Sequence, residues 1–245
     1  MTAEAGAMIK AVTFDMWNTL VQDIDYTEPR VQYLLSALKT ANTPRSHDQV
    51  KGVYSSSYEY ARKVSRNENY RYVTTEERLG YILKRLSAEL TEDLKADVLR
   101  AFEEVAGTDP PPLAKGVSET LGQLRSDYRM GIVSDSGLTP GRVLKKVLLS
   151  HRILGFFDST VFSNEVGYNK PHNAMFERAL AALDVKPHEA VHLGDLLHTD
   201  IVGAKGAGMK AVWLNNGQMV NAGPCFPDSE IRAFSEMVNA LRRIS

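Results

Sequence analysis

Short apolar runs at residues 9–15, 130–133, 159–162, 190–193 and 210–214, with stretches of helical periodicity between them, constrain this chain more than any other feature. Strands that read as continuous apolar runs are buried on both faces, and strands alternating with helices wind a parallel sheet between two helical layers. The expected fold is therefore α/β, a doubly wound parallel sheet of Rossmann-like character. Ligands of such sheets gather beyond the carboxyl ends of the strands. Asp15, Ser134 and Asp195 each follow an apolar run, so this topology can bring them to one crevice. Lys170 would reach it from the loop after the 159–162 run.

One long interval lacks any strand signal. Val50, Val53, Tyr54, Ser57, Ala61 and Val64 share a helical face, as do Leu79, Ile82, Leu83, Leu86 and Leu90. Ser46-x-x-Gln49 and Thr74-x-x-Glu77 read as capping boxes, Thr91 as an N-cap, and an earlier helix follows Pro29. Pro110-Pro111-Pro112 stops the helical stretch and stiffens the return. Residues 24–112 are thus expected as a helical insertion in an α/β core formed by 1–23 and 113–245. Downstream, the pattern predicts helices over 171–183, with Pro171 in the first turn, and over 199–207. A final helix would carry Ile231, Phe234, Val238 and Leu241 on one face.

Composition narrows the function classes. At 245 residues the chain holds one large domain or one domain with an insertion, and 43% apolar with 24% charged residues is ordinary for a soluble protein. A formal net charge of -1 gives no electrostatic argument for nucleic acid or an anionic membrane. No apolar stretch approaches the roughly 20 residues that span a bilayer. The first eight residues lack the marks of a signal peptide and read as a flexible leader. The single cysteine, Cys225, fits a reducing compartment and reads as a bystander. These features predict a cytoplasmic protein, a monomer or homodimer, without nucleic-acid or membrane partners.

Chemistry concentrates in four places. Asp15 leaves the first strand into the turn Met16-Trp17-Asn18-Thr19. Alone it would read as a turn-forming aspartate, but three more signals follow in order. Ser134 ends the second run ahead of Asp135, Lys170-Pro171 precedes a helix, and Gly194-Asp195 with Asp200 follows another run. An aspartate aimed from a strand end is a candidate nucleophile, the serine and lysine suit an anion, and the later aspartates suit a hard cation. Gly203 to Gly208 lacks phosphate-loop spacing and reads as close helix–sheet packing.

In order and context these motifs resemble the haloacid dehalogenase superfamily of hydrolases, most of whose members are magnesium-dependent phosphatases. The resemblance covers nearly all of the chain from Ile9 onward and implies that the insertion is a helical cap. It casts Asp15 as the nucleophile that forms an aspartyl phosphate, with Thr19, Ser134 and Lys170 completing the catalytic set. Trp17, Asn18, Ser134, Asp135 and Lys170 would meet the substrate, a small phosphorylated metabolite. Mg2+ would be held by Asp15, the Trp17 carbonyl, Asp195 and Asp200, the last also orienting the metal's waters or Lys170. Asn18 stands where the family usually has Gly, an exchange suited to left-handed backbone. His198 reads as a rim residue.

Trp17 departs from the pattern, because phosphatases of this family carry a second aspartate two residues after the nucleophile. That aspartate protonates the leaving oxygen and later deprotonates water, and an indole does neither. Three readings follow: a magnesium-dependent phosphohydrolase, a 2-haloacid dehalogenase, or a non-hydrolytic binding protein. Dehalogenases of the family also carry an aromatic residue at this position. They also use an arginine from the cap, generally follow the serine with Asn and lack the downstream acidic pair. Here Asp135, Asp195 and Asp200 favour the phosphohydrolase. Specificity is expected from cap residues such as Tyr54, Tyr58, Arg62 and Arg71.

Overall fold

A computed structural model of the chain describes residues 8–217 and 226–244, so Cys225 and most of the expected leader lie outside the described residues. Six parallel strands make one sheet: β1 (Ala11–Phe14), β2 (Arg129–Ser134), β3 (Ser159–Phe162), β4 (Ala190–Gly194), β5 (Lys210–Leu214) and β6 (Ser229–Ile231). Their order is β3-β2-β1-β4-β5-β6. From β1 the chain steps outward through β2 and β3, then returns to β4 on the other side, which puts the topological switch point between β1 and β4. The register sets Phe14 opposite both Ile132 and Leu193. Asp15, Ser134 and Asp195 therefore leave the same edge of the sheet within a residue or so of one level.

The apolar character of β1 follows from its position, since all four of its residues are buried. Val12 and Phe14 pack into a cluster with α5 (Val117–Leu124), α6 (Gly141–Ser150) and α10 (Met237–Ile244). Ala11 faces the other side, in a cluster with α8 (Asn173–Leu183), which follows the one-turn α7 (Ser163–Val166), and with α9 (Val202–Gly206). Gly203 lets these elements approach, because a Cβ there would collide with the ring of Phe176. The glycine-spaced run is thus packing, as its spacing suggested.

Between β1 and α5 run four helices: α1 (Thr27–Thr40), α2 (His47–Asn67), α3 (Thr75–Leu86) and α4 (Glu92–Thr108). They enclose an apolar cluster of their own, built on Leu34, Leu38, Tyr54, Ile82 and Phe102. Leu138, from the loop after β2, is buried in that cluster, so the sheet side supplies part of its core. Hydrogen bonds from the Tyr72 hydroxyl to the Gly137 carbonyl (2.9 Å) and from Asn169 N–H to the Tyr70 carbonyl (2.7 Å) tie the two sides together.

Several local expectations need correction. Ser46 and Gln49 form the reciprocal capping box, but at Thr74 only half of one exists. Glu77 turns away to take two hydrogen bonds from Arg71 at 2.9 Å, a charge-assisted pairing stronger than one to a backbone amide. Pro171 does not open α8; the helix starts at Asn173, and the His172 side chain accepts from Ala174 N–H as its N-cap. The expected helix over 199–207 is a π-helical turn, Leu197–Ile201, leading into α9. Ile231 ends β6 and Phe234 sits in a 3-10 turn, so only Val238 and Leu241 of that apolar series lie on α10.

Candidate active site

The first and fourth strands, the loops after β2 and β3 and the π-helical turn converge on a cavity of about 850 Å³. Asp15, Trp17, Asn18, Asp135, Lys170, Asp195 and Asp200 line it from the sheet side. Arg30, Tyr58 and Arg62 line it from the helical insertion, and Asp23 and Asp25 from the connection between the two.

At its floor Lys170 Nζ donates to Asp15 Oδ1 and to Asp200 Oδ1, both at 2.5 Å, and all three side chains are buried. Burial alone works against the lysine charge, but Asp15, Asp200 and Asp135 push its pKa well above the ordinary lysine value. Burial likewise opposes the Asp200 carboxylate, yet Lys170 and His192 hold it far below the usual carboxylate range. Asp15 goes the other way: burial, then its neighbours Asp200 and Asp195, lift it to about 8 against the pull of Lys170. Asp195 rises to about 6 through burial and the adjacent Asp200. Carboxyls raised by burial and by one another's charge mark a place that would gain from a cation. Ligand oxygens of Asp15, Asp195 and Asp200 lie within 4.8 Å of one another, and an all-oxygen set suits magnesium. The residues present therefore fit the ion.

Asp200 is fixed in every direction. Its Oδ1 also takes a bond from His192 Nε2 at 3.2 Å, and its Oδ2 accepts Leu196 N–H at 2.9 Å. His192 is fully buried, with Thr13 Oγ1 against its Nδ1 at 2.9 Å, and burial keeps its pKa below the ordinary value. Gly194 makes room for this arrangement, because a Cβ at that position would strike the Asp200 carboxylate. With both oxygens committed, Asp200 acts chiefly on Lys170, and Asp15 with Asp195 is the pair better placed to ligate an ion.

The remaining expected residues divide. Asn18 has φ +54, the left-handed backbone its residue type suggested, and its side chain accepts Asp23 N–H at 3.1 Å. Thr19 Oγ1 is buried without a partner among the described residues. Ser134 is buried, and among the described residues its hydroxyl reaches only the Asp135 carbonyl, at 3.5 Å. Asp135, expected to meet the substrate, accepts the Lys170 N–H at 2.9 Å and so clamps the lysine loop; burial lifts its carboxyl to about 6. Of the four aromatic and basic residues expected to set specificity, Tyr58 and Arg62 line the cavity, whereas Tyr54 is buried behind it. Arg71 is spent on Glu68 and Glu77.

Two functional candidates escaped the sequence. Arg30 stands on the polar-looking first turn of α1 and yet is buried, and His192 stands inside an apolar strand. Only the strand pattern around His192, a polar residue amid Val191 and Leu193, carried any signal.

The family profile described as haloacid dehalogenase-like hydrolase matches residues 9–208, which span every side chain of the floor. The chain belongs to the haloacid dehalogenase-like hydrolases. It is 31% identical over 247 residues to a glyceraldehyde 3-phosphate phosphatase of Methanopyrus kandleri, covering 97% of this chain and 99% of the relative. A glyceraldehyde 3-phosphate phosphatase of Pyrococcus furiosus is 30% identical over 211 residues, 86% of this chain and 82% of that one. Among solved structures, a 2-haloacid dehalogenase from Pseudomonas syringae pv. Tomato DC3000 superposes with a TM-score of 0.74 over 97% of this chain and 100% of its own, at 23% identity. That likeness establishes the haloacid dehalogenase fold, shared by phosphatases and dehalogenases alike.

Proposed function

We propose that this hydrolase is a magnesium-dependent phosphohydrolase of a small phosphorylated metabolite, with residues 24–112 serving as the cap over its site. One observation carries the reading: Lys170 is clasped between Asp15 and Asp200 while Asp195 crowds the same floor. A nucleophilic carboxylate approaching an anionic phosphate needs its repulsion screened, and this constellation supplies one cation and a place for another. The curated relatives named as phosphatases support the same choice.

In this reading the Asp15 carboxylate oxygen attacks phosphorus, and the bond from phosphorus to the leaving oxygen breaks. The leaving oxyanion takes its proton from water, since Trp17 has none to give. Water then hydrolyses the aspartyl phosphate, releasing phosphate and restoring Asp15. Lys170 neutralises Asp15 in the resting site and a phosphoryl oxygen during transfer. Asp200, locked by His192 and Leu196 N–H, keeps the lysine in place. Asp15 and Asp195, with the carbonyl of Trp17, would hold the magnesium ion. Bound there, the ion neutralises phosphoryl charge. Thr19, Ser134, Asn18 and Asp135 would shape the loops around the phosphate.

The dehalogenase reading draws on Trp17 and on Arg30, an arginine of the insertion that does reach the cavity. It leaves Asp195 on the floor without a purpose, which is why it ranks second. Release of phosphate from a panel of phosphate esters, and of halide from 2-haloacids, each with and without magnesium, decides between them. Magnesium-dependent phosphate release is expected; halide release indifferent to the metal would replace the proposal.

A further inference from the structure

The helical insertion buries two arginines that have no acidic partner. Arg30 is 5% exposed and Arg78 3%, and among the described residues neither has a carboxylate within ion-pair distance. A buried charge left uncompensated is strongly unfavourable, so such a pair calls for an anion from elsewhere.

The two are linked. Arg30 Nη1 lies 3.5 Å from the Tyr54 hydroxyl, which meets the Tyr58 hydroxyl at 3.0 Å, and the Arg78 guanidinium stacks 4.0 Å over the Tyr58 ring. Arg78 gives Nη2 to Ser57 at 3.1 Å, its Nε has no partner among the described residues, and burial pushes its pKa down. Arg30 donates Nε to the Phe102 carbonyl at 2.8 Å and Nη2 to Thr139 Oγ1 at 3.2 Å. Among the described residues one N–H on each terminal nitrogen of Arg30 has no partner, which leaves two donors for an anion such as a carboxylate.

Arg30 and Tyr58 line the same cavity as Asp15, with Asp23 and Asp25 joining them from the connection. Acid gathers on the floor, at Asp15, Asp195 and Asp200, where the metal and the lysine answer it. Asp25 feels the Arg30 guanidinium but spends its own Oδ1 on the Thr27 N–H at 2.8 Å. From the insertion, Arg30 therefore offers the cavity a buried positive charge with no carboxylate bound to it among the described residues.

We infer that the substrate carries a carboxylate as well as its phosphate, and that Arg30 receives the carboxylate while the floor receives the phosphate. The inference rests on the phosphohydrolase reading and names the substrate class for it: short phosphorylated carboxylic acids. Arg78 acts at one remove, adding positive potential behind Tyr58. Arg62, exposed at the rim and paired with Glu59 at 3.0 Å, is not needed for it.

The test compares 3-phosphoglycerate with glycerol 3-phosphate, which differ in a carboxylate against a hydroxymethyl group. Their affinities are measured calorimetrically, with magnesium, on the Asp15→Asn protein so that turnover plays no part. The carboxylate should bind tighter by about tenfold or more, the usual worth of a charge-assisted pair. Arg30→Met should bring the two ligands to parity. Arg30→Lys, which keeps the buried charge and loses the planar fork, should retain part of the preference, and it stands in should the methionine variant not fold. Equal binding of the two ligands to the Asp15→Asn protein, or a preference undiminished by both substitutions, overturns the inference. Phosphate release by the wild type is scored separately. Release from both compounds without discrimination would leave the phosphohydrolase standing and remove the carboxylate; discrimination in binding without release from either would do the reverse.

Discussion

Lys170 Nζ stands 2.5 Å from Asp15 Oδ1, joining residues 155 positions apart in the chain inside a fully buried floor. Its second bond, to Asp200, makes the lysine the one cation shared by two buried carboxylates.

Removing that cation should cost both stability and rate. At a pH above about 8, where Asp15 is ionised, Lys170→Met leaves Asp15 and Asp200 buried together without a counter-charge, a loss on the order of 3–5 kcal/mol when one partner of a buried pair is deleted. A lower melting temperature in metal-free buffer, partly restored by magnesium, is the expected result of a thermal scan. Turnover should fall below detection. A variant as stable as the wild type would mean that the carboxylates are protonated in the resting protein.

Magnesium binding should release protons. Burial and Asp200 raise Asp195 to about 6, and burial with Asp200 and Asp195 raises Asp15 to about 8. The ion requires the ionised forms, so protonation competes with it, and affinity should climb as pH rises from about 5 to about 8 before levelling off. Calorimetry in buffers of different ionisation enthalpy reads the released protons directly. Asp195→Asn should abolish most of the affinity and leave only the pH dependence due to Asp15; a wild-type affinity flat across this range would contradict the site.

Trp17 should leave its mark on leaving-group preference. It lines the cavity but carries no acid, and general acid catalysis is worth roughly a hundred- to ten-thousand-fold. Aryl and acyl phosphates, whose leaving groups are stable anions, should turn over faster than alkyl phosphates. Trp17→Asp should raise the alkyl rates more than the aryl ones. Rates independent of leaving-group pKa, with chemistry rate-limiting, would show that another group supplies the proton.

His192 should prove to be a positioning residue. It sits between Thr13 and Asp200 and touches neither Asp15 nor the open cavity. His192→Leu deprives Asp200 of a donor, so kcat should drop with little change in KM and with a stability loss of about 1–3 kcal/mol. His192→Asn, which can still donate to Asp200, should recover part of kcat. A change confined to KM would place His192 in substrate binding instead.

The reasons some of this was legible in the sequence are physical. Asp15, Asp195 and Ser134 end apolar strands, and a parallel sheet obliges such strand ends to converge. The doubly wound sheet, the helical insertion and the floor of the site were all readable on that ground. Arg30 was not, because a charged residue in the first turn of an amphipathic helix reads as solvated until tertiary packing buries it against Phe102 and Thr139. The start of α8 was misplaced for a similar reason: Pro171 belongs to the turn that aims Lys170, and His172 takes over the capping. At the C-terminus the apolar series from Ile231 to Leu241 is shared by a strand, a 3-10 turn and a helix, and periodicity alone cannot divide it.

The central claim is that Asp15 becomes phosphorylated during turnover. Protein quenched in acid during steady hydrolysis of an aryl phosphate, digested and weighed by mass spectrometry, tests it most directly. The peptide holding Asp15 should carry a phosphoryl group, enriched by the slow second step that Trp17 imposes, and Asp15→Asn should neither trap phosphate nor turn over. An Asp15→Asn protein that hydrolyses the substrate at the wild-type rate would contradict the account.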